Sequence, residues 1–299
     1  MKYHIISDGS CDLNPQEAIE KGIEVVPFYV SFDEQTYEKE IAEIGIRDFY
    51  EQMVLNPKVF PKSSMPSVQD FYDVFLPHVQ AGEAVICICI TTKFSGSLQS
   101  AMNAKNMMLE TYPDAEITVV DSTLDTVLQG IYVLEAVDMR DKGIPYEKAV
   151  ERLMEMRSSG RIFFTVGNID YLQHGGRIGK LSGIASNVLN IKPLITLKEG
   201  EIFPSGIARG RKTSKEKVIG MLLSHLKELN AKIEDYSICV GFGYDYEEAV
   251  GFRDHAVEML RANGYAIKEM PILQIGATIS VHTGPYPLGF GFVERHGLK

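Results

Sequence analysis

The sequence predicts an α/β protein: an N-terminal domain with a mostly parallel sheet covered by helices, then an α+β domain. Three observations carry this. Short apolar runs such as "YHIISD" and "AVICICIT" alternate with amphipathic segments through the first half, as strands joined by crossover helices do. Near residues 157 to 161 that alternation stops, and two extended runs meet at Lys198-Glu199-Gly200, a hairpin signature. The 299 residues exceed an ordinary domain, so two are expected, 1–158 and 159–299.

Taken in order, "YHIISD" is a strand, and "NPQEAIEKG" is a helix with Pro15 early and Gly22 as its stop. "IEVVPFYVSF" is extended. "GIRDFYEQMVLNP" and "SVQDFYDVFLPHVQAG" are amphipathic helices flanking the loop "KVFPKSSMPS", with Ser67 capping the second. "AVICICIT" is a buried strand, "SLQSAMNAKNMMLETY" a helix, "AEITVVDS" a strand, and a long helix starts at Thr126. After the helix "YEKAVERLMEMRSSG" come the strand and turn "RIFFTVGNIDYL", a short helix in "LSGIASNVLN", and the hairpin "KPLITLKEGEIFPSGIAR". A helix from Thr213 carries an apolar stripe of Val218, Ile219, Leu222, Leu223, Leu226 and Leu229. "YSICVGFGY", the helix "YEEAVGFRDHAVEMLRANG", "AIKEMPIL" and "ATISVHTG" close the chain, the last read as a strand ending at His282.

Composition excludes several classes. A net charge of -10 opposes binding of nucleic acid or an anionic membrane through the general surface field. The basic run "RGRK" stands alone, without the interleaved aromatics of a nucleic-acid reader. No segment approaches the roughly 18 apolar residues of a membrane span, and the first residues lack a signal-peptide run, so the reading is cytoplasmic with no stable membrane insertion. Cys11, Cys87, Cys89 and Cys239 form no CxxC pair and have no His partners at zinc spacing, so buried thiols are expected and no metal.

The chemistry concentrates at the turn "TTKFSGS" after "AVICICI". Ligands of an open parallel sheet bind beyond the carboxyl ends of its strands, where helix N-termini offer unpaired N–H groups. Ser95, Gly96 and Ser97 can cradle an anion there, and equally Ser95 can be a plain helix cap. A G-x-S-x-G nucleophile turn, a P-loop and a dinucleotide fingerprint are all absent. Asp8, Asp12 and Asp121 lie at strand ends without the paired spacing of a magnesium site. Three glycine-rich segments add Arg177 in "YLQHGGRIGKLSG", Arg209, Arg211 and Lys212 in an exposed run, and His282 before a rigid turn.

In order, "SDGSCDL", "KSSMPS", "ITTKFSGSLQSA", "VVDS", "YLQHGGRIGKLSG", "LNIKPLI", "ARGRK" and "VHTGP" resemble the DegV family over essentially the whole chain. The resemblance implies a fatty-acid-binding protein that holds a long-chain acid between two domains and serves as the lipid-carrying subunit of fatty acid kinase, without cofactor or turnover of its own. It places Ser63 and Ser95 on the carboxylate with help from the Gly96 backbone, Arg177 and His282 in the same head-group environment, and Arg209 and Arg211 at the kinase contact. Serine stands at 63 where the family has threonine, Met65 replaces glutamine, and "GPYPLG" brings in Tyr286, changes that bear on acyl selectivity. The alternative is a free-standing esterase or phosphotransferase using Ser95 with His282.

Overall fold

The computed structural model describes residues 2–181, 190–268 and 270–298. The N-terminal half runs β1 Tyr3–Asp8, α1 Pro15–Glu20, β2 Ile23–Val26, β3 Tyr29–Ser31, β4 Glu38–Lys39, α2 Ile46–Leu55, β5 Lys62–Ser64, α3 Val68–Gln80, β6 Ala84–Cys89, α4 Ser97–Thr111, β7 Ile117–Asp121, α5 Thr126–Asp141 and α6 Tyr146–Met156. The C-terminal half continues with β8 Arg161–Thr165, α7 Asp170–His174, β9 Ile191–Lys198, β10 Glu201–Arg209, α8 Arg211–Glu228, β11 Tyr236–Phe242, α9 Tyr246–Ala262, β12 Ile272–Gln274, α10 Ala277–Thr283 and β13 Leu288–Glu294. The short helix expected in "LSGIASNVLN" falls largely on 182–189 and so lies outside the described residues.

The first sheet is parallel throughout, in the order β2-β1-β6-β7. Strand β6 is buried at every position, which is why its sequence is a continuous apolar run instead of an alternation. The second sheet, β10-β9-β8-β13-β11-β12, is mixed: its strands pair antiparallel except β11 with β12. The strands of these two sheets fall on either side of residues 157–161. Helix α5 is apolar on nearly every face because it lies between them, packing on β1 from one side and on β11 and β13 from the other. Leu128 of α5 shares one core with Ile5, Ile88, Ile195 and Val293, so truncating it to alanine costs about 2–5 kcal/mol.

Strand β13 lies beyond the last element of the sequence reading, and the structure departs from that reading in three further places. "IEVVPFYVSF" is split: β2 joins the parallel sheet, while β3 turns away after Pro27 into a small antiparallel sheet, β4-β3-β5. Pro27 has no N–H to continue a ladder. Within "KSSMPS", Lys62–Ser64 is strand β5, with Ser63 opposite Val30, where a loop was expected. The largest difference is "ATISVHT", which reads as a strand from its β-branched residues and is helix α10. Glu40 reverses the preference. Its buried carboxylate accepts the N–H groups of Ala277 and Thr278 and the Thr278 hydroxyl, satisfying donors that a helix start leaves orphaned. Ser67 caps α3 as expected, in a reciprocal box with Asp70.

Candidate functional site

A cavity of about 250 Å³ opens where the carboxyl ends of β1 and β6 meet the second sheet and α10. Ser63, Ser95, Gly96, Arg177 and His282 all line it, so the structure brings together residues spread over 220 positions of sequence. The remaining wall is largely apolar, with Phe28, Ile90, Phe94, Phe164, Leu172 and Ile279. A second, narrower cavity of about 40 Å³ continues past Phe164 and Ile279 between Val127, Ile162, Ile275 and Leu288. Asp125, Phe164, Ile279 and Thr283 line both, which makes them the junction.

The turn after β6 is fixed from below. Asp8, fully buried at the end of β1, accepts hydrogen bonds from the Ile90 N–H (2.9 Å), the Ser97 hydroxyl (2.7 Å), the Ser10 hydroxyl (2.6 Å) and Gln129 Nε2 (2.9 Å). Those bonds bracket Ile90–Ser97 and leave its crest facing the cavity. Burial still pushes the Asp8 carboxyl above the usual range, against all four donors. Across the cleft, the Thr91 hydroxyl donates to the carbonyl of Gly200 in the β9–β10 turn (3.1 Å), joining the two halves beside the site.

Ser95 does cap the helix in part: its Oγ accepts the Ser97 N–H at 3.1 Å. An accepting hydroxyl keeps its own proton to donate, so the capping reading and the anion reading are compatible. Gly96 has ordinary backbone angles, and its lack of a Cβ serves close approach instead, since a Cβ there would come within 2.8 Å of Met65 Sδ. Arg177 spends its donors on backbone carbonyls. Its guanidinium donates to the Phe94 carbonyl through Nε (3.1 Å) and Nη2 (2.9 Å) and to the Gly175 carbonyl through Nη1 (2.8 Å), which staples the "GGRI" turn to the serine turn.

His282 pairs with Ser63, not with Ser95: Nε2 lies 3.2 Å from Ser63 Oγ. The other ring nitrogen, Nδ1, is buried with no hydrogen-bond partner, and only a glycine at 175 leaves room for it. Burial first, then the nearby Arg177 charge, lower its pKa to about 3, so the ring is neutral at physiological pH. A nucleophile–base pair needs a base near its working pH and a third group to orient it. This imidazole has neither, and in the neutral form it serves as a hydrogen-bond partner of Ser63.

Asp125, absent from the sequence reading, is the unexpected member of the site. It stands at the N-cap of α5 yet makes no capping bond, and its Oδ1 is buried without a partner. Burial pushes its pKa up to about 7. The other strand-end aspartates hold loops: Asp12 accepts the Thr126 hydroxyl at 2.6 Å, and Asp121 accepts the Thr92 hydroxyl at 2.8 Å. Tyr286, expected to bear on selectivity, lines neither cavity, because its ring turns outward against Gly167 and edge-on to Tyr244. The "RGRK" run is only partly free. Arg209 is exposed, while Arg211 forks onto Glu248, with its closest contact at 2.7 Å. The four cysteines are buried free thiols.

Fold and site together define a class: α/β proteins with a largely apolar cavity beside two sheets and hydroxyl and backbone donors gathered at one wall. The chain belongs to the DegV family, whose profile, described as "uncharacterised protein, DegV family", matches residues 2–295. A solved stearic-acid-binding protein from Eubacterium ventriosum is similar at 41% identity and a TM-score of 0.93, with 98% of this chain and 99% of that one covered. A DegV family protein from Thermus thermophilus, described by its fatty acid binding, is similar at 26% identity and a TM-score of 0.85 over 98% and 100% of the two chains. A DegV domain-containing protein of Clostridium acetobutylicum is 27% identical over 100% of both. Among the described residues no helix is long and apolar enough to cross a membrane.

Proposed function

We propose that this chain binds a long-chain fatty acid, with its carboxylate held by Ser63 and Ser95 and its tail in the apolar cavities, and presents it to a separate kinase for acyl phosphate formation. The observation that carries the reading is the joint lining of one largely apolar cavity by two hydroxyls and an exposed helix start. Each buried methylene contributes about 0.8 kcal/mol, so the tail provides most of the affinity. The head needs donors because an unmet carboxylate loses several kcal/mol on leaving water. Ser95 donates while accepting from Ser97, and Ser63 donates in the tautomer that carries the His282 proton on Nε2. Gly96 contributes backbone, and Arg177 keeps the turn in place, adding a positive charge nearby.

The neutral, unoriented imidazole favours this carrier role over the esterase reading, in which Ser95 and His282 would act together. Arg209, exposed at the end of β10, is the candidate kinase contact, with Arg211 positioned by Glu248 behind it. Mass spectrometry of an organic extract of freshly purified protein should release a long-chain acid in near-stoichiometric amount. Delipidated protein that takes up no fatty acid would end the proposal. An Arg209→Ala variant should bind the acid normally and yield less acyl phosphate when a fatty acid kinase and ATP are added.

A further inference from the structure

Asp125 bears on the kind of acid the cavity accepts. Asp125 lines the wide cavity together with the head-group residues and also the narrow inner one, which Ser63, Ser95, Gly96, Arg177 and His282 do not reach. It therefore sits along the path of the tail, beyond the head. Its Oδ1 is buried and unpartnered, and among the described residues no donor bonds either oxygen.

The threonines that line these cavities cannot supply one. Thr126 gives its hydroxyl to Asp12, Thr278 gives its own to Glu40, and Thr283 gives its own to the Ile279 carbonyl. While the cavity holds water, solvent can meet Asp125 at Oδ2, the oxygen that is not enclosed as Oδ1 is. A saturated chain expels that water and lays methylenes against the carboxyl, which leaves a polar group unpaired in an apolar wall. A ligand with a hydroxyl at that depth removes the penalty, donating to the carboxylate or accepting from the protonated acid.

We propose that the preferred cargo is a long-chain acid bearing a hydroxyl on its chain, and that Asp125 receives that hydroxyl. This rests on the fatty-acid-binding reading above and goes beyond it by naming the substrate class. The test is displacement of a fluorescent fatty acid by stearic acid and by hydroxystearic acids with the hydroxyl at successive positions, on delipidated full-length protein.

The expected result is that one position is preferred over stearic acid by about tenfold or more, the margin of a recovered buried hydrogen bond. Asp125→Leu should abolish that preference while tightening stearic acid. Asp125→Asn, which keeps hydrogen bonding and almost the same shape, should retain it, and this guards against a variant that merely misfolds. Equal displacement by stearic and every hydroxystearic acid would overturn the proposal and leave fatty-acid binding standing. Failure of every acid to displace the probe would overturn both. A preference that survives Asp125→Leu unchanged would show that another group reads the hydroxyl, and so would also overturn it.

Discussion

Asp8 and Asp125 both stand at the cleft end of the first sheet, the first buried and the second half-buried with its Oδ1 enclosed, and their surroundings could hardly differ more. Asp8 collects hydrogen bonds from Ser10, Ser97, Gln129 and the Ile90 backbone, while Asp125 has none from the described residues. In both, desolvation dominates and raises the pKa. What separates them is whether the chain provides its own compensation. A satisfied acid builds architecture, whereas an unsatisfied one facing a cavity waits on something the chain does not contain.

The comparison breaks if removing Asp8 proves harmless. Asp8→Ala strands several buried donors at once and should cost about 3 kcal/mol or more in urea denaturation. A loss under about 1 kcal/mol would mean the network does not hold the turn.

Asp125 should show the opposite sign, read through pH. Its pKa is raised from 3.8 to about 7 in the folded chain, so between those values the folded state binds more protons than the unfolded one. Stability from this group is therefore present below pH 3.8 and lost as pH rises through about 7, with a slope of up to about 1.4 kcal/mol per pH unit. Asp125→Leu should flatten that part of the stability curve and be more stable than the native chain above pH 7. His282 runs the other way. Its pKa is lowered from 6.5 to about 3, so its contribution is present above 6.5 and lost as pH falls toward 3, and the variant should keep that loss.

The smallest effect belongs to Ser95, which lies between the two cases because it serves both helix and cavity. Ser95→Ala should cost about 1 kcal/mol of stability for the lost cap and weaken fatty acid binding by about tenfold in a displacement titration. Unchanged affinity would assign Ser95 to the helix alone.

The parallel sheet was readable because burial on both faces writes itself as unbroken apolar runs such as "AVICICI", and the capping box at Ser67 because its partner is three residues away. Ser95 was read from the turn at the strand end, and Ser63 through resemblance to a family. Their meeting in one cavity is long-range, and the pairing of Ser63 with His282 has no local signature. Helix α10 was misread because its β-branched residues speak for a strand, and the carboxylate that overrules them lies far away in sequence. Asp125 was missed for a different reason. An aspartate before a helix looks like a cap, and only coordinates reveal that it declines the role.

Glu40 carries one last consequence. The helix bearing His282 starts on a carboxylate contributed by the small N-terminal sheet, 237 positions earlier. During synthesis both serines leave the ribosome long before the histidine, and Glu40 waits for Ala277 through nearly the whole of translation. The cargo's berth is thus completed last, and a nascent chain halted before α10 would display the serine turn without the wall that carries His282.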